Sequence, residues 1–429
     1  MNMEETKGSK GGLGGALGAA YRSARRGVGV RVRRTVSGHT WEGLQASRAR
    51  IRSIYAGIRM PYYPRMPLLS IVMAAHNTET YIVPALESLA IQQWPNFEVL
   101  VIDDGSTDNT AKLAQDFAEH HKRFSVHCID QVGPGAARNA GVELAKGKYL
   151  TFFDSDDLAN PFFYLQAIFS LERSGSDFAL GSYQILKDGE AGSPPPYIRE
   201  LHRRTRRRIK LADRPDVMTN ALMCTRVYRR SFYDAHVGPQ PEGIFFENQL
   251  LTMRAFVQAR RFDLLHESAL LWRRRASFDS TTQRAADVEN LQQRIDSYQQ
   301  VAAYLEEIGE VEVRQARLMQ ILATNQLTLS HLLVAGEDYL DLTRRFLAWA
   351  IAEIGDDYYA ERVTPRDLQL HNLVLDGDLP KIRTFLFTNA RSLGQWVFGV
   401  RSPIPASRRR LSPLARAAQW NAYAADGSI

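Results

Sequence analysis

The sequence predicts an α/β protein with a mostly parallel sheet, followed by a helical region, and three observations support this prediction. Short apolar runs alternate with helix-like stretches between residues 68 and 153. These segments have the lengths typical of βαβ units. Polar motifs directly follow the apolar runs, and in such sheets ligands bind beyond the carboxyl ends of the strands. We therefore expect a ligand site at one edge of the sheet.

Each predicted element follows from its own residue pattern. The apolar runs predict strands at Leu68–Ala75, Phe97–Ile102, Ser125–Ile129 and Lys148–Phe153. The stretches between them predict helices at Tyr81–Gln92, Asp108–His121 and Gly135–Ala145. The segment Lys187–Arg214 contains three consecutive prolines and a basic run, which favours a long loop or an excursion on the α/β domain.

A helical pattern begins near Ala285. Apolar residues recur there at three- and four-residue spacing and predict a core-facing stripe, formed by Leu291, Ile295, Tyr298, Ala302 and Leu305. We therefore divide the chain into four parts: a basic, partly flexible N-terminal extension (1–66), the α/β domain (67–284), a helical domain (285–390) and a basic, aromatic tail (391–429).

The positive charge is concentrated in the N-terminal extension. Residues 1–66 contain 13 Lys and Arg against 3 Asp and Glu; since the whole chain carries +7, the remaining 363 residues carry −3. Such an extension favours attachment to an anionic membrane surface, with a solvated basic extension as the alternative. Because basic charge lies outside the core and acidic clusters lie at the expected site, nucleic acid is not an expected partner.

The composition also favours a particular compartment. The chain has two cysteines, so disulfides do not organise it, and a reducing compartment is the simpler interpretation. No apolar run approaches the roughly 20 residues that cross a bilayer. We expect a cytoplasmic protein, peripherally attached to the inner face of the membrane. The sequence does not indicate an oligomeric state.

The most informative motif is Asp154–Ser155–Asp156–Asp157, which directly follows a predicted strand. Two carboxylates separated by one residue can hold one hard cation through oxygen ligands. Mg²⁺ and Mn²⁺ bind few protein carboxylates and complete their coordination with substrate phosphates, so the motif predicts a site for a metal and a diphosphate. The alternative is a solvated acidic turn.

Two further motifs follow other strands. Asp103–Asp108 reads as a turn that caps the next helix, with aspartates able to accept hydrogen bonds from a base or a ribose. Gln131–Gly141 is a glycine-rich loop that enters a helix, with Arg138 one turn in. The N-terminus of a helix and a guanidinium group together favour the binding of an anion. The alternative is an ordinary turn with a salt-bridging arginine.

In their order and spacing, four segments of this sequence resemble the signature segments of the family-two glycosyltransferases, which have the GT-A fold. They are Ser70–Asn77, Val101–Asp108, Gly135–Gly141 and Phe152–Asp157. The resemblance implies roles for individual residues: Ala75 and Asn77 bordering the nucleotide, Asp104 meeting the uracil or equivalent base, Arg138 near the donor, Asp154 contacting the ribose or donor sugar, and Asp156 ligating Mg²⁺ or Mn²⁺.

The resemblance also implies a general base in a later acidic pair. Many relatives have Glu-Asp there, whereas this chain has Glu247–Asn248, and a neutral amide cannot act as a base. Glu247 is our predicted catalytic residue, with Glu242 or a weakened enzyme as the alternatives. Further on, Arg273–Arg275 and Ser277–Thr282 resemble a segment of bacterial wall-polymer transferases that helps to hold the diphosphate; a solvated basic face is the alternative.

Together these features predict an inverting glycosyltransferase. It would move a sugar from a nucleotide-sugar donor, most simply a UDP-sugar, to a glycan, wall-polymer or lipid-linked acceptor with the help of a metal. The alternative function is a catalytically weakened protein that binds sugar nucleotides or scaffolds a polymer-synthesis complex.

Overall fold

A mixed sheet forms the centre of the α/β region in this computed structural model, which describes residues 66–187, 189–275, 284–323 and 329–397, with side chains up to residue 389. One compact unit comprises 62–187 and 193–429. The other comprises 1–61 and 188–192, of which residues 189–192 are described and include the two-residue strand Glu190–Ala191. The predicted N-terminal extension and most of the tail lie outside the described residues.

The strands of the larger unit confirm a mostly parallel arrangement. They are β1 (Leu69–Ala75), β2 (Phe97–Asp104), β3 (Phe124–Ile129), β4 (Tyr149–Asp154), β5 (Leu158–Ala159), β6 (Phe178–Lys187), β7 (Arg206–Ile209), β8 (Arg226–Arg229) and β9 (Phe262–Arg273). Their order is β3-β2-β1-β4-β8-β6-β9-β5, and β7 pairs with β9. Strand β8 is antiparallel to both neighbours. The carboxyl ends of β1, β2, β3, β4, β6 and β9 therefore share one edge.

Helices cover the sheet and explain the continuous apolar strands. They are α1 (Ile82–Ala90), α2 (Thr110–Glu119), α3 (Pro134–Leu144), α4 (Phe163–Ser174), α5 (Pro196–Leu201) and α6 (Asn248–Gln258). Six of the seven β1 residues are buried, as expected for a parallel strand covered on both faces. Each predicted strand and helix of the α/β region overlaps an observed one, so the predicted fold class is confirmed.

The predicted loop Lys187–Arg214 is wrong in part, because it contains α5 and β7. Strand β7 lies antiparallel to β9. Its arginines pack back onto α4: Arg207 Nε donates to Ser170 Oγ at 2.8 Å, and the Arg208 guanidinium donates to the Ser174 carbonyl. These contacts let a run of like charges form a strand beside β9, and charged side chains are common on strands at sheet edges.

The C-terminal region is helical, as predicted. Its helices are α7 (Val288–Glu307), α8 (Val311–Ala323), α9 (Glu337–Ile354), α10 (Asp356–Arg362), α11 (Pro365–Asp376) and α12 (Leu379–Val397). All five residues of the predicted stripe are buried. Among the described helices, none has both the length and the apolar character that crossing a membrane requires.

The helical region braces helix α6. Arg317 on α8 is 2% exposed, and its guanidinium donates to Gln249 Oε1 at 2.7 Å and to the Met218 carbonyl at 3.3 Å. Gln258 at the other end of α6 donates to Tyr304 Oη at 3.0 Å. The helix that carries the Glu247–Asn248 pair at its start is therefore held from the helical side. The boundary at residue 285 stays a prediction.

Candidate active site

The strand order brings three of the sequence motifs to one edge of the sheet. Strand β1 lies between β2 and β4, with Ala75 opposite Asp103 and Ala74 opposite Asp154. Neighbouring strands are about 4.8 Å apart. The aspartates after β2 and those after β4 consequently flank the end of β1, and this edge is the candidate site.

Asp104 organises the glycine-rich loop. Its Oδ1 accepts a hydrogen bond from the Val132 N–H at 2.7 Å, and its Oδ2 accepts one from the Gly133 N–H at 3.0 Å. The Asp104 side chain is therefore the anion that these two amides bind. Asp103, beside it, uses Oδ2 for the Ser106 N–H at 3.1 Å, whereas its buried Oδ1 has no partner within the described residues.

Asn77 ties the end of β1 to the turn after β2. Its backbone lies in the left-handed region (φ 48°), which asparagine tolerates better than most residues. Its N–H donates to Ser106 Oγ at 3.0 Å, and its Oδ1 accepts from the Thr107 N–H at 2.9 Å. Next to it, His76 Nδ1 lies 2.7 Å from the Asp104 carbonyl. Asn77 and Asp104 thus form one rim of the edge.

Arg138 bridges the two sides of the site. One guanidinium nitrogen donates to Asp154 Oδ1 at 2.8 Å, and the other donates to Glu247 Oε1. Burial alone would lower the pKa of Arg138, but the carboxylates of Glu247 and Asp154 raise it above its ordinary value, so the group stays charged. Arg138 therefore makes the salt bridges of the alternative interpretation and links the end of β4 to the start of α6, while its proposed place near the donor stays a prediction.

The carboxylate turn after β4 concentrates negative charge. Burial raises the pKa of Asp156; Arg275 opposes this effect, while Asp154 adds to it. Burial raises the pKa of Asp157 well above its usual range, and Asp156 and Asp154 raise it further. A cation beside these carboxyl groups would lower the free-energy cost of ionising each of them. The turn therefore favours a positively charged ligand.

The residues present fit a divalent cation that substrate oxygens help to coordinate. Within the described ranges, no group of three or more His, Cys, Asp or Glu forms a complete metal site. Asp154 and Asp156 supply hard oxygen donors at the open edge. Mg²⁺ typically uses one or two carboxylates together with substrate phosphates. Two carboxylate ligands from the protein therefore suit a metal that binds together with a diphosphate.

Two arginines from the end of β9 face the carboxylate turn. Arg275 Nε donates to Asp156 Oδ2 at 2.8 Å, and the Arg273 N–H donates to Asp157 Oδ1 at 2.8 Å. Both guanidinium groups lie over the ring of Tyr81, with Cζ 5.2 Å (Arg273) and 5.3 Å (Arg275) from its centroid. This aromatic support was not predicted, because Tyr81 reads in the sequence only as the start of a helix. Residues 277–282, predicted to act with these arginines, lie outside the described residues.

The predicted base and its alternative occupy different surroundings. Glu247, 7% exposed, immediately precedes α6 and pairs with Arg138. Glu242 is exposed and accepts a hydrogen bond from Asn139 Nδ2 at 2.9 Å. Asn248 Nδ2 donates to the Ala221 carbonyl at 3.2 Å, and its buried Oδ1 lacks a partner among the described residues.

Cys224 is a second neighbour of the site that the sequence did not indicate. Burial raises the pKa of the Cys224 thiol well above its usual value, and the nearby Asp154 carboxylate raises it further, although Arg138 opposes this. The thiol is therefore a buried, neutral side chain that interacts with Asp154. Only the three-dimensional structure shows this contact, since 70 residues separate the two positions.

The structure is similar to a solved wall-polymer transferase. Staphylococcus aureus TarS 1–349, solved in complex with UDP-GlcNAc, aligns with a TM-score of 0.57 and 21% identity, covering 79% of this chain and 94% of that chain. At this identity the likeness concerns the fold alone. It confirms the GT-A type of fold that the motifs predicted.

Sequence relatives indicate the family. Residues 70–236 match the model of "Glycosyl transferase family 2". EpsH of Bacillus subtilis, named as a glycosyltransferase, is 28% identical over 249 residues, covering 57% of this chain and 71% of the relative. Staphylococcus aureus TarS, named as a poly(ribitol-phosphate) beta-N-acetylglucosaminyltransferase, is 28% identical over 262 residues. That match covers 60% of this chain but only 43% of TarS.

The fold, the family-model match and the named relatives together indicate a glycosyltransferase of the GT-A class. Residues 70–236 match the glycosyl transferase family 2 model, and the chain resembles enzymes of cell-wall polymer synthesis. The resemblance to family-two glycosyltransferases that the four motifs indicated is confirmed.

Proposed function

We propose that this enzyme transfers one sugar, with inversion, from a UDP-type nucleotide sugar to a glycan, wall-polymer or lipid-linked acceptor. The observation that carries the proposal is the carboxylate turn 154–157 at the carboxyl edge of the sheet. In the sheet order it lies between the Asp103–Asp104 turn on one side and Arg273 and Arg275, at and just beyond the end of β9, on the other. The names of relatives such as TarS support a wall polymer as the acceptor class.

The donor site is assigned to the rim around the end of β1. Ala75 and Asn77 border the nucleotide, and Asp104 lies toward the base. Asp154 faces the ribose or donor sugar. Arg138 holds Asp154 in place, because its guanidinium is itself fixed by Glu247.

Asp156, with Asp154 beside it, would hold Mg²⁺ or Mn²⁺ together with the donor diphosphate. When bound, the cation would offset the charge that develops on the departing nucleoside diphosphate. Arg273 and Arg275 add positive charge on the same side of the turn. Membrane attachment through the basic extension 1–66 remains part of this proposal.

Glu247 is the proposed general base. The inverting reaction requires a group that takes the proton of the acceptor hydroxyl, and Asn248 cannot do so. Glu247 lies at the start of α6 and shares Arg138 with Asp154, and these two ion pairs support a position near the proposed donor sugar. Glu242 is exposed and accepts a hydrogen bond from Asn139 on α3 instead.

Substitution at Glu247 tests this assignment. Glu247→Gln should lower turnover by roughly 10²–10⁴-fold, the range of general-base catalysis, while donor affinity stays unchanged. The measurement is the release of nucleoside diphosphate from a panel of nucleotide sugars. Glu242→Gln is the matched control and should keep its turnover.

The same assay separates the enzyme from the alternative function. If Glu247→Gln keeps full turnover and Glu242→Gln loses it, then Glu242 is the general base instead of Glu247. If the wild-type protein releases no diphosphate from any donor while Asn248→Asp does, the chain is a weakened relative that binds sugar nucleotides or scaffolds a synthesis complex.

A further inference from the structure

Asp156 is already held by a cation of the protein itself. The Arg275 guanidinium donates from Nε to Asp156 Oδ2 at 2.8 Å, and the two side chains are only 18% and 17% exposed. The neighbouring Arg273 makes a different contact: its Nε donates to the backbone carbonyl of Asp156. Of these two arginines, Arg275 is therefore the one that contacts the carboxylate assigned above to the metal.

A guanidinium and a divalent cation at one carboxylate repel each other. The turn supplies few oxygen donors, and Asp154 is also engaged, by Arg138 at 2.8 Å. A cation that binds to the protein alone must therefore either displace Arg275 or accept a positive charge next to it. Either course weakens its binding.

A diphosphate offers Arg275 another partner. Guanidinium groups bind phosphate with the same forked geometry that they use for carboxylates. The ring of Tyr81 lies beneath Arg275, at 5.3 Å from Cζ to the centroid, and a cation keeps a favourable contact with such a ring face while its hydrogen-bond partner changes.

We propose that Arg275 competes with the divalent cation for Asp156 and that the donor diphosphate removes this competition by drawing the Arg275 guanidinium to itself. The inference rests on the proposed function. Metal and nucleotide should therefore bind cooperatively. The diphosphate draws Arg275 away and frees Asp156 for the metal, and the metal on Asp156 releases Arg275 for the diphosphate. Arg275 thereby makes metal binding dependent on the presence of the donor.

The test measures Mn²⁺ binding by isothermal titration on the full chain, first alone and then with saturating UDP. Arg275→Gln should bind Mn²⁺ alone roughly fivefold more tightly than the wild type, the upper end of what a partly exposed ion pair contributes. The cooperativity between Mn²⁺ and UDP should fall by a similar factor. Arg273→Gln removes the same charge without the carboxylate contact and should change both quantities less.

The outcomes distinguish this inference from the proposed function. If Asp156→Ala abolishes Mn²⁺ binding but Arg275→Gln leaves it unchanged or weaker, the competition is refuted and the metal site stands. If Asp156→Ala binds Mn²⁺ as the wild type does, the metal site itself is refuted. Arg275→Lys keeps the charge but loses the fork, so its Mn²⁺ affinity should lie between those of the wild type and Arg275→Gln; an affinity at or above that of Arg275→Gln contradicts the competition.

Discussion

Arg138→Met is the substitution that most directly probes how the site is held together. The Arg138 side chain is 8% exposed and pairs with Glu247, also 8% exposed, and with Asp154, 33% exposed. Removing the guanidinium leaves a buried carboxylate without a partner, which costs about 3–5 kcal/mol. The more exposed Asp154 adds at most about 1 kcal/mol. We expect the free energy of unfolding to fall by about 3–6 kcal/mol in total.

The size of this effect depends on the charge of Glu247, so a double-mutant cycle isolates it. In Arg138→Met/Glu247→Gln the unpaired buried charge is absent, and the double variant should be less destabilised than the two single losses added together. We expect an interaction free energy of about 1–3 kcal/mol. Lys112→Met is the control, since its ion pair with Asp116 is exposed on the surface, and it should leave stability unchanged.

The assay is urea unfolding followed by tryptophan fluorescence, with all four proteins of the cycle measured in one buffer. A loss below about 0.5 kcal/mol in Arg138→Met would match an ordinary surface substitution. That result, or strict additivity in the double variant, would refute the account in which Arg138 joins the donor side of the site to α6.

Two further predictions concern packing and pH. A Cβ at Gly135 would lie 2.1 Å from the Pro241 carbonyl oxygen, so Gly135→Ala should cost about 1–3 kcal/mol in thermal unfolding, whereas Gly336→Ala, with open space around it, should cost much less. Burial lowers the pKa of His202 to about 4. As the pH falls, the unfolded chain takes up the proton before the folded protein does, so the contribution of His202 to stability should be full above about pH 6.5 and should fall as the pH drops toward 4. His202→Gln should flatten this fall, and an unchanged pH profile of the unfolding midpoint would contradict the assignment.

The sheet was predictable because its strands carry a local signal. Strand β1 is apolar except for Ser70 and ends at polar residues, and parallel strands bring such ends to one edge. That rule predicts that Asp154 lies at the same edge as the end of β1, whereas the structure shows that β4 is the direct neighbour of β1. Strand β7 escaped prediction because its stability comes from β9 and α4, and its own residues, Arg206–Ile209, are three arginines and one isoleucine.

The pairing of charged side chains within the site could not be predicted from their separation in the sequence. Arg138 and Glu247 are 109 residues apart, and Arg275 and Asp156 are 119 residues apart. A motif shows that an arginine or an aspartate is present, but the tertiary fold decides which groups neutralise each other. For the same reason the sequence could not show that Asp104 binds the amides of its own neighbouring loop.

The most direct test of the central claim is the affinity of the full chain for UDP with and without Mn²⁺, compared between the wild type and Asp156→Ala by isothermal titration. We predict that the wild type binds UDP more tightly when Mn²⁺ is present and that Asp156→Ala loses this metal-dependent gain while keeping the wild-type unfolding midpoint. Equal UDP affinity in both proteins with Mn²⁺ present, or no UDP binding by the wild type, would contradict a metal and nucleoside diphosphate site at the carboxylate turn.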